Sequence, residues 1–155
     1  MQIDIRQAEG EDDIEMARGL FLEYQASIDV DLGYQGFTDE VASLPGAYAA
    51  PRGRLLLAEV DGVTCACIAL RPLNETTCEI KRLYVRPSHR GLGLGRTMVT
   101  RVLEEAQAIG YGQVYLDTLP SMSEATAIYV SFGFEDVPPY RFSPVPGTRF
   151  MAITF

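Results

Sequence analysis

Arg90-Gly91-Leu92-Gly93-Leu94-Gly95 is the stretch of this chain best equipped for chemistry. It stands between a run with strand character and a run with helical spacing. A helix N-terminus leaves N–H groups unpaired and carries partial positive charge, so it holds phosphate well. Glycines let the backbone approach an anion and adopt conformations closed to other residues. Arg90 and Arg96 flank the turn and add charge-assisted donors. A Walker loop needs Gly-Lys followed by Ser or Thr, and that sequence is absent. A dinucleotide fingerprint needs G-x-G-x-x-G, but Gly91, Gly93 and Gly95 are evenly spaced and Met98 stands where the third glycine belongs. What remains is Arg-x-x-Gly-x-Gly.

Other reactive side chains are few. His89 is the single histidine, beside the loop, which excludes a histidine-based triad or zinc site and reads as a turn residue at the mouth of the anion site. The three cysteines are an odd count without C-x-x-C spacing. Cys65 and Cys67 lie two apart, which predicts one face of a strand, with Cys78 on the next; all three read as small buried hydrophobes. Lysine and arginine total 13 against 21 acids, a net charge of −8 that argues against general nucleic-acid binding. The distribution is uneven. Residues 1–63 carry 13 acids and four arginines, whereas residues 71–101 carry seven bases against Glu75 and Glu79. An acidic half beside a basic centre suggests one surface for an anion and another for a cation.

The elements that must position the loop follow from periodicity. Ile3–Arg6 alternates as a first strand, and Asp12 with Glu15 resembles a capping box opening a helix to about Ser27. A loop over 28–37 leads to a short helix capped by Thr38. Leu55–Val60 and Val63–Leu70 read as strands joined by an Asp61-Gly62 hairpin turn, and Cys78–Val85 as a third long strand. Met98, Val99, Val102, Ala106 and Ile109 share one helical face that Gly110 terminates. Val114–Thr118 is another strand. Ser121 with Glu124 resembles a second capping box, opening a helix that Gly133 ends. A proline-rich loop from Pro138 to Gly147 precedes a last strand over Phe150–Phe155. There is no repeat and no linker, so 1–155 reads as a single mixed α/β domain, large enough to fold without disulfide or metal. No apolar run approaches a membrane span, and Met1-Gln2-Ile3-Asp4 does not begin a signal peptide, so the expected compartment is the cytoplasm.

The Arg90–Gly95 pattern resembles the pyrophosphate loop of the GCN5-related N-acetyltransferases (GNAT superfamily). The strand Glu79–Val85 followed by Arg86-Pro87 is similar to the family's strand leading into that loop. Leu116-Asp117-Thr118, followed by Ala127 to Phe134, is similar to its next strand and helix. The matches fall in family order over about residues 79–134, and the hairpin from residue 54 extends them. The resemblance implies an α/β (α+β) fold: a mixed, mostly antiparallel twisted sheet with helices on both faces and a splayed central strand pair.

It also implies acetyl-CoA as co-substrate, no metal, and direct attack of an amine on the thioester in a ternary complex. Cofactor contacts would fall on Leu83, Tyr84 and Val85 and on Arg90, Gly91, Leu92, Gly93, Leu94, Gly95 and Arg96. Tyr129 matches the family tyrosine that protonates the departing coenzyme A sulfur, and Glu79 the glutamate that serves some members as general base. Ala125, Ile128 and Phe132 form an apolar stripe with Tyr129, so packing is the alternative for that tyrosine; for Glu79 it is an ion pair with Lys81 or an arginine. One departure is Met122, where many members carry an asparagine that contacts the pantetheine arm; Ser121 or Ser123 would take its place. Asp29, Asp31, Asp39 and Glu40 fall where the family binds its acceptor and would suit a cationic amine, with Tyr34, Phe37, Tyr140 and Phe142 near the same cleft. A small-molecule amine is the expected partner, with no nucleic acid and no membrane, and the protein is expected to be a monomer or homodimer. The alternatives are a non-catalytic acyl-CoA-binding module and a protein acetyltransferase.

Overall fold

Three long runs of alternating and apolar residues build the centre of the molecule, which a computed structural model describes over residues 1–155. They are β2 (Arg54–Val60), β3 (Val63–Pro72) and β4 (Thr77–Val85). Asp61 and Gly62, both at positive φ (50° and 83°), make the tight turn between the first two. β1 (Ile3–Gln7) joins β2, while β5 (Gln113–Thr118), β7 (Arg149–Thr154) and the two-residue β6 (Glu135–Asp136) complete a sheet in the order β1-β2-β3-β4-β5-β7-β6. Every pairing is antiparallel except β4 with β5.

Helices cover both faces. On one, α1 (Gly10–Ile28) and α2 (Phe37–Ala42) bury Ala17, Leu20, Phe21, Phe37 and Val41 against Leu55, Leu57 and Tyr84. On the other, α3 (Leu94–Ile109) and α4 (Ser123–Phe132) bury Met98, Val99, Val102 and Tyr129 against Leu56, Ile68 and Ile80. Gly110 and Gly133 stop α3 and α4 in the left-handed region at φ 111° and 99°, as their place in the sequence predicts.

Both predicted capping boxes are corrected. Asp12 lies in the first turn of α1 rather than at its cap, and the Asp13 carboxylate accepts the Glu9 N–H at 3.0 Å. Ser121 precedes Met122, which caps α4 with no side-chain bond. α2 begins after Gly36, not at a Thr38 cap. The shared face of Cys65 and Cys67 is also corrected. A register shift in the β2–β3 pairing breaks the two-residue period, and the two thiols enter opposite cores. All three cysteines are buried and free, and burial pushes the Cys67 and Cys78 thiols up to about 12.

Two irregularities of β4 make the site. It pairs with β5 only at Thr77, Cys78 and Glu79, after which the two parallel strands part. Beyond that point β4 has no ladder partner on its β5 side, which leaves an open backbone edge inside the molecule. A second register shift, against β3 between Cys67 and Ala69, coincides with Arg82 at φ 62°. This bulge turns Lys81 and Arg82 toward the α1/α2 face together, where strict alternation would have divided them.

Candidate functional site

Between the parted strands lies a cleft of about 530 Å³. Leu83, Tyr84 and Val85 form one wall, Arg90, Gly91, Gly93, Leu94, Gly95 and Arg96 its mouth, and Ser121, Met122 and Ser123 the other wall. Ten of the eleven residues predicted to hold the cofactor are therefore brought together. Leu92 is the exception, outside the lining with its side chain 43% exposed. His89 lines the mouth as predicted.

The loop has the features of an anion site. Gly91 and Gly93 stand at φ 82° and 77°, a region costly for any residue with a Cβ. Gly93 caps α3, and the N–H groups from Gly91 to Arg96 donate to no acceptor in the chain; the first bonded amide is that of Thr97, to the Gly93 carbonyl at 3.0 Å. Those amides, the helix dipole and two arginines converge on one place. Arg90 is held by the Val85 carbonyl (3.0 Å) and Arg96 by the Ser131 hydroxyl (2.8 Å). At the other side of β4, Glu23 of α1 accepts from Arg86 at 2.9–3.2 Å and from the Tyr84 hydroxyl at 3.3 Å, tying the strand end to α1.

Beside the inner end of the cleft, sharing Tyr24, Leu83, Met122 and Ala125 with it, lies a cavity of about 20 Å³ that Lys81, Arg82, Asp117, Thr118 and Tyr129 also line. The Tyr129 ring is buried and packs at 5.6 Å from Phe134. Burial, with Tyr24 and Asp117 adding to it, pushes its phenol far above the usual tyrosine value. Asp117 is the one carboxylate of the lining, 3.9 Å from Lys81 Nζ and 3.5 Å from Gln35 Nε2. Burial lowers the Lys81 ammonium to about 8, against the opposing pull of Glu79.

Glu79 lies elsewhere. Its side chain is fully buried and lines neither cavity. Oε1 accepts from Arg71 Nε at 2.9 Å, and Oε2 from the Tyr140 hydroxyl and Arg141, both at 2.5 Å. Tyr140 itself stands edge-on to Tyr115 and Phe150. Burial alone would raise the carboxyl, but Lys81, Arg141, the Tyr140 hydroxyl and Arg71 outweigh it and hold Glu79 below the usual carboxylate range. Glu79→Gln removes a fully buried carboxylate that pairs with two half-buried arginines, so an expected loss of about 2–3 kcal/mol should appear in denaturant unfolding at pH 7. A depressed carboxylate contributes its full stability above the unfolded value near ~4.3 and loses it as pH falls through the folded value. The difference between wild type and variant therefore shrinks below about pH 4.

The acidic stretch offers no open carboxylate cluster. Glu40 is taken by Arg82 through two 2.9 Å bonds, Asp31 caps Gly33 N–H at 2.8 Å, and Asp29 ends α1 at φ 51°. None of these three acids, nor Asp39, lines the cleft. Phe37 packs against the Arg82 guanidinium at 5.0 Å, while Phe142 is 73% exposed. Lys81, Asp117, Tyr24 and Gln35 were not singled out from the sequence as site residues. A usable signal was present for two of them, since Lys81 is one of three charges in the buried strand β4 and Asp117 is the one charge of β5.

Comparison with known proteins agrees with this geometry. The acetyltransferase (GNAT) family model matches residues 21–134. A Schizosaccharomyces pombe protein called an uncharacterized N-acetyltransferase is 36% identical over 143 residues, covering 91% of this chain and 88% of its own. The structure of a GNAT-family acetyltransferase from Staphylococcus aureus superposes with a TM-score of 0.81 over 99% of both chains at 19% identity. PaiA N-acetyltransferase from Thermoplasma acidophilum, solved in complex with coenzyme A, superposes over the whole of both chains with a TM-score of 0.73 at 18% identity.

Proposed function

The chain belongs to the acetyltransferase (GNAT) family and is an N-acetyltransferase, and on that premise we propose that it moves the acetyl group of acetyl-CoA onto a primary amine of a small acceptor. The observation that carries this reading is the cleft opened by the parting of β4 and β5, with six unpaired amides at its mouth and a phenol and a carboxylate at its inner end. The amides of Gly91–Arg96, with Arg90 and Arg96, take the pyrophosphate. The free edge of β4 at Leu83–Val85 pairs with the amide groups of the pantetheine arm, which brings the thioester toward Tyr129. Ser123 lies at the start of α4, beside the arm, where Met122 offers no polar group.

At the inner end the acceptor arrives as an ammonium and must lose a proton before attack. Asp117 serves as that proton acceptor, because it lines the reaction cavity and is held only loosely by its neighbours. Glu79, with every contact filled by arginine and tyrosine, instead sets the positions of Arg71, Tyr140 and Arg141. Nitrogen attacks the carbonyl carbon, the C–S bond breaks, and the thiolate takes a proton from Tyr129, whose phenol is restored by the second proton the nitrogen sheds as the amide forms. The proton released overall leaves to solvent.

Calorimetric titration with acetyl-CoA tests the reading. Wild type should bind, and Gly93→Ala should weaken binding about tenfold, in line with the ~1–2 kcal/mol cost of a left-handed residue with a Cβ. No binding at low salt would overturn it. Equal affinity of the Gly93 variant would move the anion site away from the loop.

A further inference from the structure

Against three residues of the inner cavity, Lys81, Arg82 and Asp117, stands Gln35, carried by the 3₁₀ turn Leu32–Gln35 between α1 and α2. Its Oε1 accepts from Lys81 Nζ at 2.9 Å and from Arg82 at 2.9 Å, while its Nε2 lies 3.5 Å from Asp117 Oδ2. The amide has one orientation open to it, because Lys81 and Arg82 only donate and an ionised Asp117 only accepts. A neutral oxygen thus sits where two buried cations converge, and a neutral N–H₂ sits against a carboxylate.

The charges around it do not balance. Arg71, Lys81, Arg82 and Arg141 are packed on this side of β4 against Glu40, Glu79 and Asp117, which leaves one positive charge in excess. Glu79 is satisfied by two arginines, and Glu40 by Arg82. Lys81, only 4% exposed, is left with the Gln35 oxygen and a carboxylate 3.9 Å away. A buried cation without a contact counter-ion is costly, and an arriving anion would relieve that cost.

Resting on the acetyl-transfer reading above, we infer that Gln35 is a stand-in for the acceptor, and that the acceptor is a free α-amino acid whose carboxylate replaces the Gln35 oxygen on Lys81 and Arg82 while its amine replaces the Gln35 nitrogen at Asp117. In an amide, oxygen and nitrogen share one carbon. An α-amino acid inserts a single further carbon between carboxylate and amine, so it is the shortest amine that meets both ends. The same site disfavours polyamines and basic peptides, since a second cation would face Lys81 and Arg82 with nothing to pair it. Gly33 and Gly36, the latter at φ 71°, bracket the half-buried end of the turn that must lift as the acceptor enters.

Thiol release from acetyl-CoA by the full chain, measured with matched acceptors, decides the matter. L-Alanine and other free amino acids should exceed alaninamide and propylamine in kcat/KM by about 10- to 100-fold, the range that separates a charge-assisted contact from a neutral one. Lys81→Gln should bring the ratio of alanine to alaninamide close to one, whatever it does to the absolute rate, and Lys81→Arg should keep most of it. Gln35→Ala should lower the KM for alanine, because the stand-in no longer competes. Spermidine or a lysine peptide turned over better than any amino acid would overturn the inference and leave acetyl transfer intact. So would an unchanged ratio in Lys81→Gln, or a raised KM in Gln35→Ala. If calorimetry detects no acetyl-CoA binding at all, the acetyl-transfer reading falls and this inference with it.

Discussion

Asp117→Asn is expected to lower kcat/KM for the acceptor by about 10²- to 10⁴-fold, the range for loss of a positioned proton acceptor. Acetyl-CoA affinity should be unchanged, because Asp117 lies at the inner cavity and not along the wall from Leu83 to Arg96. The pH dependence identifies the role. With Asp117 as the base, wild type would deprotonate a bound ammonium, whereas the variant would wait for free amine, whose fraction rises about tenfold per pH unit below the amine's own pKa. The deficit should therefore narrow as pH rises. A deficit that is constant from pH 6 to 9 would make Asp117 a residue that only orients the amine. Glu79→Gln is the informative comparison. Its effect should be read first in unfolding, and a variant assayed under conditions where it is folded should retain most of the pH profile.

How far the sequence revealed this site depends on which link of the chain is considered. The glycine turn into α3 was legible because its determinants are local: glycines where φ is positive, arginines beside them, and a helix beginning at once. The hairpin turn at Asp61-Gly62 and the helix stops at Gly110 and Gly133 were legible for the same reason. The two capping boxes misled because the motif does not fix the exact start of a helix: Asp12 falls two residues inside α1, and Ser121 one residue before the cap of α4. What the sequence could not reveal depends on register. Arg82 at φ 62° carries no glycine to announce its bulge, yet that bulge puts Lys81 and Arg82 on one face. The same holds for Cys65 and Cys67, divided by a shift that alternation does not foresee. Gln35 reaches Lys81 across 46 positions of sequence, a contact that only the docking of α1 and α2 on the sheet creates. Strand charges at Glu79, Lys81 and Asp117 signalled that this face had a polar purpose. Which of them faces the cleft was decided by the parting of β4 from β5.

Tyr129→Phe is expected to lower kcat by about 100-fold, near the lower bound for general acid catalysis, because a thiolate leaves more readily than an alkoxide and asks less of its acid. The packing that supports the role also makes the variant a clean one. The ring is 5% exposed and stacks near Phe134, so removal of one oxygen leaves the core contacts of α4 in place. The hydroxyl makes no hydrogen bond within the chain, so no internal partner is orphaned by its loss. Burial raises the phenol far above its ordinary value, and the neutral form is therefore present throughout the working range. Tyr129 should accordingly contribute no basic limb between pH 6 and 9, and the variant's profile should run parallel to wild type at a lower level. That separates it from Asp117→Asn, whose deficit closes with pH. Replacing acetyl-CoA by an acetyl thioester of a more acidic thiol should restore much of the Tyr129→Phe loss, since a better leaving group needs less protonation. If the variant matches wild type with both thioesters, the phenol only packs, and the thiolate leaves unprotonated.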